Sequence, residues 1–191
     1  MNDFLWTAEN SGKLYRQGKG EIQEDKEILD HASADPLTGL LNQRAFKERA
    51  ENDMEQCGNH AALLLLNLDD FKEINDRYGH SFGDRLLAEA ARILKEETRM
   101  SDFAGRVGGD EFIIYLHGIR YRGYVKKIAK RLWRRMKRIH RLEEKNVRIS
   151  CSIGIVIAPE DGTRYEDLAD EAGRRLYRVK EEGKDGFYIH G

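Results

Sequence analysis

The sequence predicts an α/β (α+β) fold: a mixed, largely antiparallel sheet flanked by helices. Three observations carry that expectation. "AALLLLNL", Ala61 to Leu68, is an apolar run of strand length interrupted only by Asn67, as a central strand covered on both faces requires. "GRVGGDEFIIYL", Gly105 to Leu116, sets two glycines and two acids between strand-like runs; that is a hairpin pattern, and a hairpin forces an antiparallel pair. Segments with helical apolar spacing alternate with these strands, which is how a layered fold covers a sheet.

Taken in order, residues 1–34 are polar, with "GKG" near the middle and only a thin apolar stripe at Ile22, Ile28 and Leu29, and read as a linker or connecting helix. The domain proper is expected over residues 35–191. It begins at "DPLTGLLNQRAF", where Asp35-Pro36 marks a turn and Asn42 can cap a helix carrying Phe46, Ala50 and Met54. After the central strand, Leu86, Leu87, Ala90, Ile93 and Leu94 recur at helical spacing, while Gly79, His80 and Gly83 suggest a tight loop between two helices. The hairpin follows. Val125, Ile128, Ala129, Leu132, Met136 and Ile139 then trace an amphipathic helix with a basic outer face. "VRISCSIGIVIAP" alternates from Val147 to Ile157 as a strand does. A last helix runs from about Tyr165 to Glu182 and stops at Gly183, and "GFYIH" suits a short edge strand.

Composition narrows the function classes. The 191 residues are 40% hydrophobic, enough for a real core, and 35% charged, yet the net charge is only -1. No whole-chain attraction to nucleic acid or membrane follows, and the basic helix lacks the aromatic residues that stack on bases. Two distant cysteines, Cys57 and Cys151, fit neither a disulfide framework nor a zinc site, so a reducing, cytoplasmic setting is expected. No apolar run is long enough for direct membrane insertion.

Chemistry concentrates at strand ends. If the central strand pairs with the hairpin, Asn67 and Asp69 share one face while Asp110 and Glu111 arrive from the tip, gathering the oxygen ligands that a hard divalent cation requires. Lys72 is then positioned to neutralise phosphate, and Asn75 and Asp84 offer groups that read a base edge.

These stretches, together with "DPLTGLLNQRAF", "RMSDFAGRVGGDEF", "SIGI" and "LYRVKEEGK" in that order, resemble the GGDEF domain of diguanylate cyclases from about Asp35 to the C-terminus. The resemblance implies a palm-like sheet related to nucleotidyl cyclases. It also implies condensation of two GTP molecules into cyclic di-GMP with release of pyrophosphate, by two domains facing each other as a homodimer. By the same resemblance, Asp110, Glu111, Asn67 and the backbone carbonyl of Leu68 hold Mg²⁺ or Mn²⁺, two ions per active site, and Glu111 helps deprotonate the ribose 3′-hydroxyl. Phe71, Lys72, Lys180 and Lys184 meet phosphates, Gly108 and Gly109 admit the nucleotide, and Asn75 and Asp84 read guanine. Arg99 and Asp102 match an RxxD inhibitory site for product. A fused or partner sensory domain is implied as well. Four departures stand out: Asn67 replaces an acid, Gly173 and Arg175 replace an acid and a small residue, and Lys184 replaces an arginine. Asn67 keeps an alternative open, a non-catalytic module that binds GTP or cyclic di-GMP as a signalling receptor.

Overall fold

A computed structural model describes residues 33–57, 60–139, 141–142 and 145–190. The expected connecting segment, apart from its last two residues, lies outside them. The elements are β1 (Leu41–Asn42), α1 (Gln43–Cys57), β2 (Ala61–Leu68), α2 (Phe71–Tyr78), α3 (His80–Glu97), β3 (Phe103–Arg106), β4 (Glu111–His117) and α4 (Arg122–Met136). They continue with β5 (Arg141–Leu142), β6 (Lys145–Asn146), β7 (Cys151–Ala158), α5 (Tyr165–Glu181) and β8 (Gly186–Ile189). Six strands form one sheet in the order β1-β3-β4-β2-β7-β8, and β5 pairs with β6 separately. β2 runs antiparallel to β4 and β7, and β3 to β4, while β1–β3 and β7–β8 are parallel. The mixed, largely antiparallel expectation therefore holds, and the sheet has helices on both faces.

Apart from Asn67, β2 is apolar because both of its faces are covered. Ala61 and Leu63 pack in a cluster with Phe46, Ala50 and Met54 of α1 and with Leu168 and Ala172 of α5. Ala62, Leu64, Leu66 and Leu68 pack in a second cluster with Leu86, Leu87 and Leu94 of α3 and Val125 and Leu132 of α4. Each leucine so buried contributes about 1.5–3 kcal/mol relative to exposure. Asn42 caps α1 as expected: the Ala45 N–H donates to its Oδ1 at 3.0 Å.

Two readings need correction. The alternation in "VRISCSIGIVIAP" from Val147 overstates the strand: it starts at Cys151, and all eight of its residues are buried. Gly154 faces α5, where a Cβ would stand 2.1 Å from the Ala172 carbonyl oxygen, so α5 lies against bare backbone. Gly83 does not belong to the inter-helix loop. The turn is made by Gly79 at φ 87, and Gly83 lies buried within α3.

Candidate functional site

The β2–β4 register fixes the site. Asn67 stands directly opposite Glu111 on β4, and on its other side opposite Ser152 on β7. Directly opposed residues project to the same face of a sheet, so the Asn67 amide and the Glu111 carboxylate share one surface. The hairpin tip is tied to the same strand end, because the Leu68 N–H donates to the Asp110 carbonyl at 3.1 Å. Asp110, Glu111, Asn67 and the Leu68 backbone are thus brought together.

The tip glycines act by absence of bulk. Neither Gly108 nor Gly109 has the positive φ that a hairpin-turn reading of "GG" implies. A Cβ on Gly108 would sit 3.2 Å from Glu111 Oε2, and Gly109 faces open space. What shapes the tip is Arg106: its Nη2 donates to the Gly109 carbonyl at 2.6 Å, and its Nη1 lies 3.3 Å from both Asp35 oxygens. Asp35 also accepts from the Thr38 N–H at 2.8 Å and the Thr38 hydroxyl at 2.6 Å. Burial works to raise its pKa, but the Thr38 hydrogen bonds and Arg106 outweigh it and hold the carboxyl below its ordinary value.

Asp69 is buried at 4% exposure, and both of its oxygens are engaged. The Ser152 hydroxyl donates to Oδ1 at 2.7 Å and the Asp185 N–H to Oδ2 at 3.1 Å. The second bond pins the turn 183–185, which follows α5 and carries Lys184. Asp185 in turn accepts from the indole of Trp133 on α4 at 2.9 Å and from Lys137, just past the end of α4, at 2.7 Å. Lys184 itself donates to Asp70, which raises its pKa. A cleft of about 400 Å³ opens beside this turn, lined by Asp70, Glu73, Arg77, Arg148, Lys184 and Asp185 among others.

α2 and α3 supply the remaining side chains. Phe71 and Lys72 occupy the first turn of α2, Phe71 half-buried and Lys72 exposed. Asp84 is exposed on α3, and Lys180 is half-buried near the end of α5. Asn75 Oδ1 is buried with no hydrogen-bond partner among the described residues. It rests on Gly83, where a Cβ would stand 1.9 Å from it. A buried amide oxygen left unpaired is the mark of an unfinished polar site.

Arg99 and Asp102 lie together just before β3, whose far end leads into the hairpin tip. Asp102 is buried and accepts from the Arg99 N–H and the His117 N–H, each at 3.1 Å. The Arg99 side chain is 54% exposed, with its Nε 3.7 Å from Asp102, and stacks over Tyr124 at 4.4 Å. The arginine is therefore available to a ligand, while the aspartate is occupied with backbone.

Sequence reasoning placed Asp69 among the oxygen ligands, whereas both of its oxygens are taken by Ser152 and the Asp185 N–H; it read Asp35 only as a turn residue and missed Arg106, Asp185 and Trp133 as residues that shape this end of the sheet. The "DPLT" turn was the one local signal, since Asp and Thr at that spacing bond each other. Among the described residues no three His, Cys, Asp or Glu side chains gather as metal ligands. Counting Asn67, the donors present are an amide oxygen, a backbone carbonyl and two carboxylates. This all-oxygen set fits Mg²⁺ or Mn²⁺, with one charge fewer than three acids would give.

A family model described as "Diguanylate cyclase, GGDEF domain" matches residues 32–186. The chain is similar to the "Bifunctional diguanylate cyclase/cyclic di-GMP phosphodiesterase MucR" of Pseudomonas aeruginosa, 34% identical over 166 residues, covering 85% of this chain and 24% of that protein. Three such curated relatives are matched over only 20% to 24% of their own lengths. Among solved structures, a sensory box/GGDEF family protein of Caulobacter crescentus is 35% identical with a TM-score of 0.74, covering 79% of this chain and 99% of that one. The GGDEF domain of TpbB (YfiN) from Pseudomonas aeruginosa is 30% identical with a TM-score of 0.78, over 83% of this chain and 94% of that one.

Proposed function

Because the chain belongs to the GGDEF domain family of diguanylate cyclases, we propose that it condenses two GTP molecules into cyclic di-GMP and two pyrophosphates. The observation that carries the proposal is the Asn67–Glu111 register, with Asp110 tied to Leu68, which sets two acids at the end of β2 beside the start of α2. Asn67, the Leu68 carbonyl, Asp110 and Glu111 would hold the divalent ions, which lower the pKa of a ribose hydroxyl and neutralise charge on the attacked phosphate. Glu111 receives the 3′-hydroxyl proton. Lys72, Lys180 and Lys184 act as point charges on the phosphates, and the first N–H groups of α2 add donors there. Asn75 and Asp84 read guanine. Asp84 accepts from N1–H and the N2 amine, which adenine lacks, and such a bidentate pair is worth about 1–3 kcal/mol of discrimination.

One domain holds one GTP, so turnover needs two copies face to face. Product returns to Arg99, whose exposed fork suits the O6 and N7 edge of guanine, and slows turnover. The neutral Asn67 favours a second reading, a receptor that binds GTP or cyclic di-GMP without chemistry. Incubating the purified chain at dimer-forming concentration with GTP and either Mg²⁺ or Mn²⁺ separates the two. The cyclase reading expects cyclic di-GMP and pyrophosphate at 1:2, their loss in Glu111→Gln, and inhibition by added product that Arg99→Ala relieves. A folded chain that binds GTP yet yields no cyclic di-GMP with either metal establishes the receptor reading.

A further inference from the structure

On the reading above, Lys184 meets the terminal phosphates of GTP, and the inference here rests on that reading. Its ammonium is engaged within the chain, since Nζ donates to an Asp70 carboxylate oxygen. Asp70 occupies the N-cap position of α2, where an aspartate ordinarily turns its carboxylate onto the helix's own N–H groups. Here it makes no such bond. Its backbone is left-handed, φ 54 and ψ 30, and the carboxylate is turned instead toward the α5–β8 turn.

Lys184 is left-handed too, at φ 63, so each partner is presented from a conformation that few non-glycine residues adopt. Both side chains line the 400 Å³ cleft, and both stay partly open to solvent, 46% for Asp70 and 43% for Lys184. The turn beneath Lys184 is fixed independently by the Asp69 carboxylate on the Asp185 N–H and by Trp133 and Lys137 on the Asp185 side chain. Exchanging Asp70 for another anion therefore requires only that a side chain let go, with the backbone left in place.

We infer that Asp70 is an affinity-setting residue of this site, an internal carboxylate that occupies Lys184 in the free chain and competes with the polyphosphate for it. An exposed ion pair is weak, so a ligand carrying several negative charges displaces it, but Asp70 then remains beside those charges as a like charge. The site is weakened for triphosphate and pyrophosphate alike, and unaffected toward the guanosine end of the nucleotide. The same carboxylate that loosens substrate also favours release of pyrophosphate.

Asp70→Asn is the direct test. Asparagine tolerates the left-handed backbone and removes the charge, and no helix cap is lost because none is made. Asp70→Gly, which fits the same φ, is the second variant. Calorimetric titration of the full chain with a non-hydrolysable GTP analogue, with pyrophosphate and with GMP, each in EDTA and in Mg²⁺, reads the effect. Tightening by about 3- to 10-fold for the first two ligands, with GMP unchanged, is expected from removing one like charge at a solvent-exposed site. With Lys184→Ala also present the gain should shrink, because the competition for the ammonium is gone and only the like-charge repulsion remains. Unchanged or weaker binding in both variants, or a gain undiminished without Lys184, overturns the inference while leaving GTP binding by the parent chain intact. If parent and variants all fail to bind the GTP analogue, the proposed function falls and the inference falls with it.

Discussion

At the end of the sheet where β7 leaves at Ala158, a buried charge is enclosed by its partners; at the opposite end, where β7 enters at Cys151, a buried amide oxygen has no partner among the described residues. The Arg175 guanidinium, 7% exposed, reaches Asp161 at 2.9 and 2.6 Å, Glu171 at 2.9 Å and the Ile155 carbonyl at 2.6 Å. Asp161 also accepts from the Ile157 N–H at 2.8 Å, so the loop after β7 is stapled to both the strand and α5. At the other end Asp69 is satisfied, but Asn75 Oδ1 has no partner among the described residues, and Lys184 is held by an exposed carboxylate. The contrast teaches how one sheet serves two purposes. One end spends its charges on holding the chain together, while the other keeps acceptors and cations in forms a ligand can take over.

Breaking the closed end gives the largest expected effect. Arg175→Ala leaves Asp161 and Glu171 without their shared cation and should cost about 3–5 kcal/mol in urea unfolding, as removal of one partner from a buried pair does. Replacing both members, Arg175→Met with Asp161→Leu, should recover most of that loss. The pH dependence provides a second check. Burial works to raise the Asp161 pKa, but the Arg175 hydrogen bond, the Ile157 N–H and the Arg175 charge outweigh it and hold the carboxyl below its ordinary value. A folded pKa below the unfolded one gives stability that is complete above about pH 4 and lost as pH falls through the folded value. Arg175→Ala should flatten that part of the profile, and GTP binding at the far end should survive.

An intermediate effect is expected from Asp69→Asn. The amide keeps one acceptor and can donate to the Ser152 hydroxyl oxygen, but both bonds lose the carboxylate's charge, at a cost of about 1–3 kcal/mol. Because the second bond pins the Lys184 turn, triphosphate affinity should drop along with thermal stability. A change in stability alone would show that Lys184 is positioned by other contacts.

The difference between the ends also explains what could be read in the sequence. β2, the hairpin and the helices were legible because their signals are local: an apolar run of strand length, two glycines between strands, apolar residues at helical spacing. The oxygen donors Asn67, Asp110 and Glu111 were legible because strand pairing brings two short motifs together. Arg106 on Asp35 spans 71 residues of sequence, and the Asp185 N–H on Asp69 spans 116, so neither contact leaves a spacing to recognise. Arg175 illustrates the same limit. As a large residue in place of a small one it read as a departure, whereas its partner Asp161 sits 14 residues away across a loop. Gly83 was misplaced in the loop because its bare Cα serves Asn75, a packing requirement that turn chemistry does not reveal. For Gly173 the structure gives no reason, since a Cβ there would meet nothing within 4 Å.

The smallest expected effect tests why the open end carries an asparagine. Asn67 is 5% exposed and directly opposite Glu111, so a carboxylate there would face another acid across the strands. Without a cation, like charges directly opposed in a sheet are destabilising, by up to about 1 kcal/mol. Asn67→Asp should therefore melt lower than the parent chain in EDTA and regain the loss in Mg²⁺ or Mn²⁺. Metal affinity should rise about tenfold, the scale on which even outer-shell partners act. This variant separates two accounts of the asparagine. If metal restores stability and turnover rises, Asn67 trades metal affinity for stability of the metal-free chain. If the variant melts lower in EDTA and metal restores nothing, Asp110 and Glu111 do not hold a cation at this strand end, and the oxygen donors gathered there serve the fold alone.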